Sequence, residues 1–87
     1  MKYSLIVPCF NESATIKPLL EKVKHYAPNE EIIVVDDCST DGTRKWLIQH
    51  AKNYNIKLLL HNKNKGKGAS LHTGIAQATY DIVIIQD

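Results

Sequence analysis

At 87 residues, 44% hydrophobic and 23% charged, the chain has the composition of an ordinary soluble globular protein and the length for at most one domain. Its formal charge of +2, from eleven basic and nine acidic residues, is too small to recruit nucleic acid or a membrane by bulk electrostatics. No apolar run approaches the roughly 20 residues that span a bilayer. The apolar run at 5–7 is shorter than a signal-peptide core, so the chain reads as cytoplasmic and unprocessed. Cys9 and Cys38 have neither metal-ligand nor Cys-x-x-Cys spacing and read as reduced packing residues.

Residues 3–8 predict a short apolar strand, followed by Asn11, Glu12 and Ser13 as turn and cap candidates. Ile16, Leu19, Leu20 and Val23 then recur at i, i+3, i+4 and i+7, one face of a helix that Pro28 and Asn29 end. A second strand is expected over 31–37. Ser39 to Gly42 supply turn and capping chemistry for a helix carrying Trp46, Leu47, Ala51 and Tyr54. A third strand over 56–60 leads into a lysine- and glycine-rich loop, 61–68. Beyond it a helix places Leu71, Ile75 and Ala78 on one side, and 81–86 reads as the last strand.

Strands and helices alternating at this spacing predict an α/β fold, a Rossmann-like three-layer α/β/α arrangement with a parallel sheet and right-handed crossovers. The run from Ile32 to Val35 is apolar without alternation, as in a strand covered on both faces. The carboxyl end of such a strand opens into the crevice where α/β sheets hold ligands, and Asp36 and Asp37 stand there. An apolar strand at the end of the sequence, with no helix after it, reads as an N-terminal piece whose sheet edge needs a partner or further chain.

Common phosphate motifs fail. The first strand-to-helix turn, 8–13, has no glycine, and Gly66, Gly68 and Gly74 miss the G-x-G-x-x-G spacing because Leu71 stands where the third glycine should be. Lys67 precedes Gly68 without the following Ser or Thr of a Walker A loop. A phospho-accepting receiver domain also carries paired acids at a strand end, but at the first strand, whereas these close the second.

Taken together, Ser4-Leu5-Ile6-Val7-Pro8-Cys9-Phe10-Asn11-Glu12, Val34-Val35-Asp36-Asp37-Cys38-Ser39-Thr40-Asp41-Gly42-Thr43, Asn64-Lys65-Gly66-Lys67-Gly68-Ala69, Gly74 and Asp81-Ile82-Val83-Ile84-Ile85-Gln86-Asp87 resemble the N-terminal half of family 2 glycosyltransferases of the GT-A fold. Each block is short, and their order and intervals carry the specificity. The 65–69 loop and Gln86-Asp87 are most similar to the branch that loads a sugar onto a polyprenyl phosphate, as dolichyl-phosphate mannosyltransferases do.

The resemblance implies that Pro8, Phe10 and Glu12 line the pocket of a donor's base. It implies that Asp37 accepts from the base's ring N–H beside backbone groups of Val35, and that Asp36 and Asp41 serve the turn. Lys67, with Lys63 and Lys65 nearby, would meet the diphosphate of a UDP- or GDP-hexose at a helix N-terminus. Asp87 resembles the first acid of a D-x-D motif that holds Mg2+ or Mn2+, a site incomplete in this chain because the second acid would lie beyond it. No catalytic residue falls within the chain. The expected reaction is inverting hexosyl transfer to a polyprenyl phosphate or another acceptor, by a longer protein attached peripherally to the cytoplasmic membrane face through other regions, with residues 1–87 alone inactive. No nucleic-acid partner is expected. The alternatives are a non-catalytic nucleotide-binding or interaction module and the receiver-like reading.

Overall fold

A computed structural model of the protein describes residues 2–86. In chain order the elements are β1 (Ser4–Cys9), α1 (Ile16–Tyr26), β2 (Glu31–Asp36), α2 (Thr43–His50), β3 (Lys57–Leu60), α3 (Lys67–Gln77) and β4 (Val83–Ile85). The strands form a parallel four-stranded sheet ordered β3-β2-β1-β4, with Val7 opposite Val34, Ile6 opposite Ile85 and Val35 opposite Leu59. The α/β, Rossmann-like expectation holds.

Because strand side chains alternate between faces, one sheet builds two cores. Leu5, Val7, Cys9, Ile32 and Val34 meet Ile16, Leu20 and Val23 of α1 and Leu47 of α2. On the opposite face Ile6, Ile33 and Val35 take Leu71 and Ala78 from α3 and its end. The first three strands step in one direction and the chain then crosses behind the sheet to lay β4 on the far side of β1. Strand order therefore reverses at the carboxyl end of β1, the place where open α/β sheets bind ligands.

Gly74 sets how closely α3 crosses the sheet, since a Cβ there would lie 2.5 Å from Ile6 Cγ2. That contact corrects the helical face read from sequence. The line facing the sheet is the buried Ser70 and Gly74 with the partly buried Leu71 and Ala78, and Ile75 falls on the rim, 49% exposed. Element ends also shift. α2 stops at His50, and Ala51 and Tyr54 belong to the turns that follow, although Trp46 still stacks on His50 with ring centroids 4.5 Å apart. β4 is shorter than 81–86 and leaves Ile82, Ile84 and Ile85 about two-fifths exposed. No described helix is long and apolar enough to cross a membrane.

Candidate functional site

The turns after β1 and β2 are stitched together by the polar residues that follow Asp36. The Asn11 N–H donates to Ser39 Oγ (2.9 Å), Glu12 N–H to Thr43 Oγ1 (2.9 Å) and Ser13 N–H to Asp41 Oδ2 (3.1 Å). In return, Thr40 N–H donates to Asn11 Oδ1 at 2.8 Å. Asn11 and Cys38 sit at positive φ, 53° and 63°, a region costly for Cys that these bonds over-determine. Asp41, as expected of a turn residue, also accepts from the hydroxyl and N–H of Thr43, and these bonds hold its carboxyl well below the ordinary value.

Adjacent carboxylates on an extended chain point to opposite faces, and this separates Asp36 from Asp37. Asp36 turns toward α2, where it accepts from Ser39 Oγ (2.6 Å) and Ser39 N–H (3.1 Å) and lies 3.5 Å from Arg44 Nη1. It is fully buried and structural. Asp37 turns toward α3. Its Oδ1 accepts from His61 Nδ1 (2.8 Å) and the Lys65 N–H (2.9 Å), and its Oδ2 from the Gly66 N–H (2.8 Å). Burial alone would raise the Asp37 carboxyl, but the bonds from His61, Lys65 and Gly66 outweigh it and hold it below the ordinary value. Gly66, at φ 96°, is needed to aim its N–H this way.

Beside Asp37 opens a cleft of about 440 Å³. It brings together Pro8, Phe10, Glu12, Asp37 and Lys67 of the residues picked from sequence. Phe10 offers an exposed ring, Asp37 a fixed carboxylate, and Lys67 a cation in the first turn of α3. Val35 is not brought to the cleft: it is fully buried in the ladder between Pro8 and Leu59, its side chain toward Gly74. The side chains of Lys63 and Lys65 are exposed and also outside the lining, so the latter contributes its backbone N–H instead. Asp87 lies outside the described residues.

Sequence reasoning did not pick Cys9, Asn64 and Ser70, which with Gly66 complete the lining. Cys9 is a free thiol pushed up to about 12 by burial and by the charges of Asp36, Glu12 and Asp41, which makes it a poor nucleophile. It also missed His61, for which the signal was register: with Asp36 opposite Leu60, the next pair outward is Asp37 and His61. Among the described residues no group of three His, Cys, Asp or Glu side chains is placed to hold a metal ion. The cleft as described can seat a flat ring and accept hydrogen bonds from it, and it can meet negative charge at Lys67, but it does not hold a divalent cation by itself.

Residues 4–87 match the sequence profile of glycosyl transferase family 2. Among curated relatives, a poly-beta-1,6-N-acetyl-D-glucosamine synthase from Staphylococcus epidermidis is 35% identical over 97% of this chain and 21% of its own length. A dolichol-phosphate mannosyltransferase from Pyrococcus furiosus is 30% identical over 100% of this chain and 25% of its own. Among solved structures, S. aureus TarS 1-349 in complex with UDP-GlcNAc superposes with a TM-score of 0.86 at 32% identity, over 100% of this chain and 26% of that one. The mannosyltransferase PcManGT from Pyrobaculum calidifontis, in complex with GDP-Man and Mn2+, gives 0.83 at 30% identity, over 93% and 25%. The chain thus spans about a fifth to a quarter of the length of the proteins it matches.

Proposed function

The chain belongs to glycosyl transferase family 2, and from that membership we propose that residues 1–87 form the nucleotide-sugar-binding N-terminal part of an inverting hexosyltransferase. The observation that carries this reading is convergence: Phe10, Glu12, Asp37 and Lys67, drawn from three separate strand-to-helix connections, line one cleft at the topological switch point. In this reading the donor's base lies against Pro8 and Phe10 and gives a ring N–H to Asp37. Glu12 accepts from base or ribose, and Lys67 with the N-terminus of α3 meets the diphosphate. UDP-GlcNAc in TarS and GDP-Man in PcManGT support a nucleotide-sugar donor.

We take the acceptor to be a polyprenyl phosphate, supported by the 65–69 loop and by the dolichol-phosphate mannosyltransferase relative. A phosphate oxygen attacks the anomeric carbon from the face opposite the nucleoside diphosphate, the glycosidic bond breaks, and its electron pair leaves with the diphosphate. That oxygen is already anionic, so no strong general base is demanded. With a lipid acceptor, we take the reaction to occur at the cytoplasmic membrane face. The Mn2+ in PcManGT supports a divalent ion, Mg2+ or Mn2+, with Asp87 as one ligand and charge neutralisation of the leaving diphosphate as its contribution. The described residues do not build that site alone, and what they do is bind and orient the donor.

Titration of UDP and GDP against the whole protein and its Asp37→Ala and Lys67→Met variants, with and without Mn2+, tests the cleft. Asp37→Ala is expected to weaken nucleotide binding at least tenfold, about one lost charge-assisted hydrogen bond. Unchanged affinity for both nucleotides would mean that the donor binds elsewhere.

A further inference from the structure

Resting on the reading that a donor base meets Asp37, we propose that His61 is a positioning residue that fits this site to a base with a single ring N–H, uracil, in preference to guanine. A carboxylate offers about four acceptor positions, two on each oxygen. On Asp37, Oδ1 is filled by His61 Nδ1 and the Lys65 N–H, and Oδ2 is half filled by the Gly66 N–H. Among the described residues one position remains, on Oδ2. Uracil presents one imide N–H and needs one acceptor. Guanine presents N1–H and an exocyclic N–H side by side and engages a carboxylate with one acceptor on each oxygen, so it would have to displace a bond to Oδ1.

His61 is held so that it does not yield that position. Its Nδ1 must carry the proton, because the ionised Asp37 can only accept. Its Nε2 lies 2.8 Å from Thr73 Oγ1 of α3, so the ring is tied to that helix. The backbone is fixed as well, with His61 N–H donating to Asp36 O at 2.9 Å and Arg44 Nη1 donating to His61 O at 2.6 Å. The residue is 6% exposed and does not line the cleft, so its effect on the base passes through Asp37.

Calorimetric titration of UDP and of GDP into the whole protein, compared with His61→Ala and His61→Asn, tests this. The unmodified protein is expected to bind UDP about tenfold or more tighter than GDP, the value of one hydrogen bond that guanine must break. In His61→Ala an acceptor position on Oδ1 is vacated, so UDP weakens, GDP does not, and the ratio closes to within about threefold. His61→Asn, whose side-chain amide donates in place of Nδ1, restores the ratio. A purely structural role for His61 would weaken both nucleotides together and leave the ratio unmoved, and that result overturns the inference, as does a preference for GDP in the unmodified protein. If His61→Ala fails to fold, Thr73→Val unties Nε2 and must move the ratio in the same direction, an unmoved ratio again being fatal. UDP binding that depends on Asp37 but whose ratio ignores His61 overturns this inference alone. Binding that ignores Asp37 overturns the donor-cleft reading with it.

Discussion

Glu31 shows how one side chain ties distant segments together. Its carboxylate accepts from Ser4 Oγ (2.6 Å), from the Thr79 N–H and hydroxyl (both 2.8 Å) and from Lys57 Nζ (3.2 Å). Partial burial pushes the group up, but these bonds outweigh it and bring it from 4.5 down to about 2. A folded value below the unfolded one means a contribution fully present above about 4.5 and lost as pH falls through about 2. Glu31→Gln should therefore cost up to about 3 kcal/mol in urea melts at pH 6, with the gap to the unmodified protein closing toward pH 2. Gly74 makes a second residue-scale case. Gly74→Ala forces a methyl into Ile6 and should destabilise by about 1–3 kcal/mol, read as a lower denaturant midpoint with the m-value unchanged. Asp36 and Asp37 were legible as a pair at a strand end because a Val/Ile run stopped there. Assigning Asp36 to the turn and Asp37 to the crevice follows physically from strand alternation, which needs the faces occupied by α2 and α3 to be known.

At the scale of elements, the sequence named the strands and helices because their apolar periods are unambiguous, whereas their ends depend on tertiary contacts that no period encodes. The helix read through Ala51 and Tyr54 breaks at His50, and the chain turns through Asn55 at φ 51° into β3. The turn chemistry of 39–43 was visible as capping residues, yet its main use is to hold the neighbouring turn at 10–13, a pairing across about 30 residues that only the parallel register of β1 and β2 creates. Ser39 joins the two turns, donating to Asp36 and accepting from Asn11. Ser39→Ala leaves a fully buried carboxylate short of a donor and should destabilise by about 1–3 kcal/mol. Because Phe10 and Glu12 ride on the released turn, UDP affinity should fall as well, although Ser39 lies outside the cleft lining. A melting curve and a titration on the same sample check both, and a loss of stability with affinity intact would separate the turn from the site.

For the whole molecule, the decisive asymmetry is between the two edges of the sheet. β3 is four residues long, Lys57–Leu60, and carries at its start the Lys57 that pairs with Glu31. β4 carries Ile84 and Ile85 and is preceded by Ile82, each about 40% exposed, with Tyr26 half-exposed and its hydroxyl donating to Gln86 Oε1 at 2.6 Å. An apolar edge strand with unpaired N–H and C=O groups is a template for another strand, and soluble chains blunt such edges with charge. Residues 1–87 should therefore associate through β4. Sedimentation over a concentration series should show weight-average mass rising for the 87-residue piece. Ile84→Lys, a charge on a side chain already two-fifths exposed, should return it to the monomer without lowering the melting temperature by more than a few degrees. Association that survives Ile84→Lys would locate the sticky surface elsewhere, with Ile48 on α2 and Ile75 on α3 as the remaining exposed aliphatic positions on the two helical layers.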